Sequence, residues 1–177
     1  MSAPAFFLDF CVFPILAIAC LGVAWWGLGF PRALGLAATG YASWTLLEYL
    51  VHRFALHHIA WFRSLHDAHH AEPHAYIGTP TLVSVAIFYA LGYAPADMLF
   101  GRWFACGWMA GLLAGYFSYV VAHWAVHHIS SSDWRLLRRL KRQHAGHHHV
   151  SQKTNFGVTT GFWDRVFGTQ APQPRPR

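Results

Sequence analysis

The sequence predicts an all-α integral membrane protein: a four-helix bundle of two transmembrane hairpins carrying a cytosolic, histidine-rich helical cap. Three observations predict it. Hydrophobic residues make up 55% of the chain and charged residues 11%, against about 25% charged in an ordinary soluble domain. The apolar residues fall into four stretches near the length of about 20 residues that crosses a hydrocarbon layer. The fourteen histidines collect in the polar segments that follow the second and fourth stretches.

The first span runs from about Ala5 to Leu28, with Asp9 near its start and Pro14 inside it. The leading MSAPAFFLDF lacks a basic segment, so this span reads as a retained anchor rather than a cleaved signal. Gly29-Phe30-Pro31-Arg32 then forms a turn, Gly and Pro both interrupting a helix. The second span, about Ala33 to Val51, carries Glu48 toward the first histidines. His52 to Thr79 is too polar to cross. A third span follows from about Pro80 to Leu99, with a bend expected near Gly92 and Pro95. The fourth, about Trp103 to Ala122, places Gly107, Gly111 and Gly115 in a small-residue stripe suited to close helix packing. Trp134 to Arg142 reads as an amphipathic helix, either interfacial or an ordinary solvated helix with a buried leucine face. Residues 1–170 form one expected domain, and the Pro-rich 171–177 a disordered tail.

Two hairpins put both termini and every histidine on one side of the bilayer. Eleven of the thirteen Lys and Arg residues fall on that side, with Arg32 and Arg102 in the opposite turns. An excess of Lys and Arg marks the cytoplasmic side, so termini and histidines are expected there. The net charge of +6 is therefore a membrane-topology signal, and no nucleic-acid partner is expected. Cys11, Cys20 and Cys106 lie in apolar stretches without a CxxC and read as packing residues.

The four clusters are His52, His57 and His58; His66, His69 and His70; His123, His127 and His128; and His144, His147, His148 and His149. Residues at i, i+3 and i+4 share one helix face, so His66/His69/His70 and His144/His147/His148 each present three imidazoles in one direction. His123 and His127 share a face as well. His52 and His57 are five apart, about 140° round an ideal helix, and converge only through a distorted helix end or on two ions. Buried imidazoles in such number would leave ring nitrogens unsatisfied, and a metal supplies the missing partner. Ten candidates exceed what one ion uses, so two metals are expected. The absence of cysteine on this side excludes iron–sulfur and Cys-zinc sites, while iron, zinc, copper and nickel all suit imidazole.

The joint pattern HxxxxHH, HxxHH, HxxxHH, HxxHHH, flanked by EYLVHRF and NFGVTTGFWDRVFGT, resembles the fatty acid hydroxylase superfamily from about Leu47 to Thr169, and most closely its fatty acid 2-hydroxylase branch. The resemblance implies a membrane-bound di-metal oxygenase of a lipid C–H bond, most closely a fatty-acyl chain. It implies His52, His57, His66, His69, His70, His123, His127, His144, His147 and His148 as ligands. Iron is expected as the native metal, zinc is possible in isolated protein, and O2 is the co-substrate. Carotenoid ring hydroxylation and desaturation stay open as sibling chemistries, and metal binding or transport as the non-enzymatic alternative. These 177 residues hold no haem-binding cytochrome domain of the kind some members carry, so a separate cytochrome- or ferredoxin-type electron donor is expected. Metal-bound imidazoles usually donate their second N–H to an oxygen; Glu48, Asp67, Glu72, Asp133 and Asp164 are the acids on the histidine side. His58, His128 and His149 read as neighbours of the ligands, and Asp164 as at least as well placed to pair with Arg165 or cap a turn.

Overall fold

The computed structural model describes residues 1–130 and 134–171, in which the regular elements are helices and no strand is present among the described residues. The helices are α1 (Ala3–Leu28), α2 (Phe30–Leu50), α3 (Ala60–Ala71), α4 (Thr81–Ile87), α5 (Ala94–Phe100), α6 (Arg102–His128), α7 (Arg135–His149) and the short α8 (Phe162–Val166). Single π-helical turns, Val51–Leu56 and Phe88–Tyr93, follow α2 and join α4 to α5. Asp133 and residues 172–177 of the expected disordered tail lie outside the described residues. The chain forms two compact units, residues 1–45 with 75–120 and residues 46–74 with 121–177.

Three helical stretches, drawn mainly from the first unit, are long and apolar enough to cross a membrane: Ala3–Leu28, Thr81–Phe100 and Arg102–His128, with mean hydropathies of 2.4, 1.5 and 1.4. They match the first, third and fourth expected spans. The second, now α2, is not among them. Arg32, Thr39, Ser43, Thr45 and Glu48 dilute its apolar content. The widened turn Phe88–Tyr93 stands where a bend was expected, ahead of Pro95. Gly29 and Gly101, at φ 79° and 81°, end α1 and α5 in a backbone region that glycine enters without a Cβ clash. Each of these helices is thereby followed at once by the next.

Small residues set the packing inside this unit. A Cβ on Gly111 would lie 1.9 Å from the Ala37 carbonyl oxygen, and one on Gly40 1.9 Å from that of Trp108. The stripe read from the sequence is thus a seam against α2, with backbone against backbone at Gly111 and the Leu36 and Trp44 side chains seated on Gly107 and Gly115. Phe13, Trp44, Met109, Leu112 and Leu113 fill the core beside it. Asp9 on α1 is buried, and accepts from Thr81 Oγ1 at 2.6 Å and Tyr116 OH at 2.8 Å. A carboxylate in an apolar helix is tolerated where it is hydrogen-bonded inward, and this one ties α1 to α4 and α6. Large apolar side chains such as Ile18, Leu82 and Met98 remain on the outside, as lipid-facing helices require.

In the second unit, Leu137 and Leu140 of α7 pack on Ala125 and Val126 of α6. The Lys141 ammonium donates to the carbonyls of Ile129 and Ser130 at the end of α6. The leucine face of the expected amphipathic helix is therefore buried, except for Leu136, which is exposed beside Trp134.

The seam is testable. Gly111→Ala forces α2 and α6 apart and is expected to cost about 1–3 kcal/mol, read as a lower thermal midpoint in detergent. Gly22→Ala, at a position with nothing within 4 Å, is expected to leave the midpoint unchanged or slightly higher.

Candidate metal centre

The first histidine group gathers around a helix defect. Residues five apart lie on opposite sides of an ideal α-helix, but a π turn bonds i to i+5 and stacks them. Val51–Leu56 is such a turn, and the His52 and His57 rings are nearly parallel with centroids 5.4 Å apart. Helix α3 adds His66, and α7 adds His147. Each of these four residues offers a ring nitrogen within 4.8 Å of the others. A second group, His69, His123, His127, His144 and His148, meets the same criterion. An ion bound at about 2.1 Å keeps its ligand nitrogens within about 4.2 Å of one another, so each set needs only a small contraction. Nine of the ten expected ligands fall in the two groups. The tenth, His70, touches both: its Nε2 is 3.0 Å from His66 Nε2, and its ring stacks on His148 at 4.0 Å.

The hydrogen bonds decide what these nitrogens present. His52 Nδ1 lies 2.5 Å from the Phe156 carbonyl oxygen and His147 Nδ1 2.8 Å from that of Thr154. A carbonyl only accepts, so both Nδ1 atoms carry the proton and both Nε2 atoms present lone pairs. Those two Nε2 atoms are 3.1 Å apart. Two lone pairs facing each other require a cation between them, either a proton or a metal ion. Burial, followed by the neighbouring imidazoles, pushes His52 well below the ordinary imidazole range. Burial also holds His147 down to about 4. A shared proton is therefore disfavoured at neutral pH, and a metal ion fits. In the second group, His69 Nε2 and both ring nitrogens of His148 are buried without a hydrogen-bond partner, and a metal fits these as well.

The loop after α7 supplies the fixing carbonyls. Asp164 is fully buried; its carboxylate accepts from Phe156 N at 2.8 Å, Gly157 N at 2.9 Å and Thr169 Oγ1 at 2.8 Å. Glu48 accepts from Val158 N at 2.6 Å, and from Thr159 N and Oγ1 at 2.8 and 2.5 Å. Asn155 takes the left-handed conformation at φ 56°, which asparagine tolerates better than most residues. Its side chain donates to Gln143 O and accepts from Ala171 N. Asp164 thus acts on His52 through the Phe156 peptide, not as a mere partner of Arg165. Sequence reading gave it too little weight, and it missed the carbonyls of Thr154 and Phe156 entirely. The available signal was the Asn-Phe-Gly turn within NFGVTTGFWD.

The other expected neighbours lie farther out. Asp67 is exposed and paired with Arg63 at 3.3 Å, and Glu72 is exposed at the end of α3. Local geometry explains both: the ligand face of α3 points inward and these acids lie on its far side or end. His58, His74 and His149 are exposed. His128 lies against the carbonyls of Trp124 and His74, outside both groups.

A model of the family described as fatty acid hydroxylase matches residues 37–169. The chain belongs to this family. It is 35% identical over 164 residues to the ceramide very long chain fatty acid hydroxylase of Saccharomyces cerevisiae, covering 84% of this chain and 41% of that protein. It is 33% identical over 153 residues to a dihydroceramide fatty acyl 2-hydroxylase of Arabidopsis thaliana, covering 81% and 63%. A solved structure of full-length Scs7p, with only its hydroxylase domain visible, aligns with TM-score 0.84 at 29% identity, over 95% of this chain and 67% of that one. The chain therefore spans about half the length of the curated relatives it matches. Family and fold agree, and the three apolar helices are those of a membrane protein.

Two predictions follow from this geometry. Asp164→Ala removes the acceptor that holds the Phe156 carbonyl on His52, and is expected to weaken metal retention about 10- to 100-fold in competition with a chelator. Asp67→Ala is expected to leave retention unchanged. The second concerns pH. Burial holds His57, His70 and His147 at about 4 in the metal-free fold, against about 6.5 unfolded. Between these values the unfolded chain binds the protons, so stability is full above about 6.5 and falls as pH drops toward 4. Denaturant unfolding in chelator at pH 7.5 and 5 reads the difference.

Proposed function

We propose that this chain is a membrane-bound, O2-dependent hydroxylase of fatty-acyl chains, of the non-haem di-iron type, acting on the carbon next to the carbonyl. The observation that carries the reading is the pair of imidazole groups, in the first of which the Nε2 lone pairs of His52 and His147 face one another. The relatives named above are acyl hydroxylases, which favours this reaction over carotenoid-ring hydroxylation or desaturation. The ten histidines from His52 to His148 expected as ligands are assigned that role here, His70 included. Four spans are proposed, α2 among them, with termini and histidines on the cytoplasmic face, because Lys and Arg concentrate on that side. Residues 1–170 are proposed to act as one domain, with electrons delivered by a separate cytochrome- or ferredoxin-type donor.

When bound, two iron ions supply the oxygen activation and redox chemistry that side chains alone lack. The protein contributes orientation and exclusion of water. The Thr154 and Phe156 carbonyls hold the Nδ1 protons of His147 and His52, so that Nε2 stays a donor toward metal. Glu48 and Asp164 keep the loop that bears those carbonyls in place. Burial keeps the imidazoles neutral, and Phe156 walls the first group with an apolar ring against His52, His57 and His147.

Expression with a competent reductase is expected to produce host fatty acids about 16 mass units heavier, the gain of one oxygen atom, with the new hydroxyl on the carbon next to the carboxyl. His147→Ala is expected to abolish the product while the protein still inserts in the membrane. A loss of about two mass units instead would mean desaturation. An unchanged lipid profile over a tested substrate panel would contradict the reading.

A further inference from the structure

Beside the first histidine group lies a cavity of about 290 Å³ lined by Arg53, Phe54, His57, His58, Gln152, Lys153 and Phe156. No carboxylate lines it. Among the described residues no ion pair reaches Arg53 or Lys153, so neither is neutralised by an acid. Arg53 is held in place: its Nη1 donates to Tyr49 OH at 2.7 Å, and its guanidinium lies 5.1 Å from the Phe54 ring centroid and 5.8 Å from that of Phe156. Tyr49 is itself buried and bonded to Thr169 Oγ1 at 3.1 Å. A guanidinium fixed in this way loses little freedom on binding, and its remaining N–H groups suit a planar, two-oxygen anion.

From this arrangement we infer that the cavity is the head-group site of the substrate, and that the head group is a free carboxylate. The inference rests on the acyl-hydroxylase reading and deepens it by naming the substrate class, a fatty acid rather than a neutral acyl amide. Arg53 and Lys153 hold the two carboxylate oxygens, while the Phe54 and Phe156 rings flank the first methylenes. The volume lies just below the usual ligand range of about 300–1,000 Å³, enough for a head group and a few carbons. His57 forms one wall, and Gln152 reaches to 3.5 Å from His70 Nδ1. A carboxylate seated here brings the adjoining carbon up to the histidines first, which gives a physical reason for oxidation next to the carboxyl.

Calorimetry on the detergent-purified, metal-loaded chain tests this with soluble eight-carbon probes: octanoate, octyl phosphate and octanamide. Octanoate is expected to bind at least about tenfold tighter than octanamide, a difference of one charged contact. Lys153→Gln and Arg53→Gln are each expected to remove that preference. Lys153 is exposed, so its variant keeps the test valid should loss of the Arg53–Tyr49 bond disturb folding; thermal midpoints report this. Equal binding of octanoate and octanamide overturns the assignment, as does a carboxylate preference that survives both substitutions. Tighter binding of octyl phosphate than octanoate overturns the fatty-acid commitment in favour of a phospholipid head. Binding needs no turnover, so these outcomes are separate from failure of the hydroxylase reading. A chain that hydroxylates acyl amides without any carboxylate preference would sink this inference and leave that reading intact.

Discussion

Unprotonated ring nitrogens that face one another in a largely buried cluster are the constraint on which the rest of the second unit depends. Each buried imidazole without a partner costs on the order of 1–3 kcal/mol, and here many converge. Backbone carbonyls at Thr154 and Phe156 remove the easy escape, because they fix the protons of His147 and His52 on the far side of each ring. A cation is left as the stabilising element. The fold around the groups reads as machinery for that arrangement: a π turn that aligns His52 with His57, a helix face on α3, another on α7, and a loop tied down by two buried carboxylates.

Glu48 and Asp164 show how the burial of charge is made tolerable. Each accepts three close donors from the 156–169 segment. Hydrogen bonds to an ionised acceptor are roughly twice as strong as neutral ones, which offsets desolvation and leaves a rigid loop. Rigidity is then passed to the imidazoles through peptide carbonyls, whose positions follow from the backbone itself. Asp9 follows the same logic in the first unit, where Thr81 and Tyr116 satisfy both oxygens of its carboxylate.

Much of this was legible in the sequence, for physical reasons. Helical spacing alone groups His66 with His69 and His70, and His144 with His147 and His148, because i, i+3 and i+4 share a face. The Gly107/Gly111/Gly115 stripe could be read as packing because three residues without a Cβ on one helix face leave room for a neighbouring helix to come close. Other features could not be read. The five-residue step from His52 to His57 left two solutions, and the π turn that decides between them has no residue signature. The carbonyls that orient the rings belong to Thr154 and Phe156 whatever their side chains, so no residue type could mark them. Asp67 and Glu72 looked as suitable as Glu48, since a carboxylate's identity says nothing about whether its helix face turns inward. The second span rests on length more than on hydropathy, because Arg32, Thr39, Ser43, Thr45 and Glu48 dilute its apolar content.

We propose that two metal ions hold the two histidine groups together. Elemental analysis of the full chain, purified in detergent without added metal, tests it most directly, with X-ray absorption at the edge of the metal found. About two ions per chain are expected, each surrounded by nitrogen ligands from several imidazoles. One ion or none in folded protein, or a ligand shell dominated by oxygen or sulfur, would contradict it.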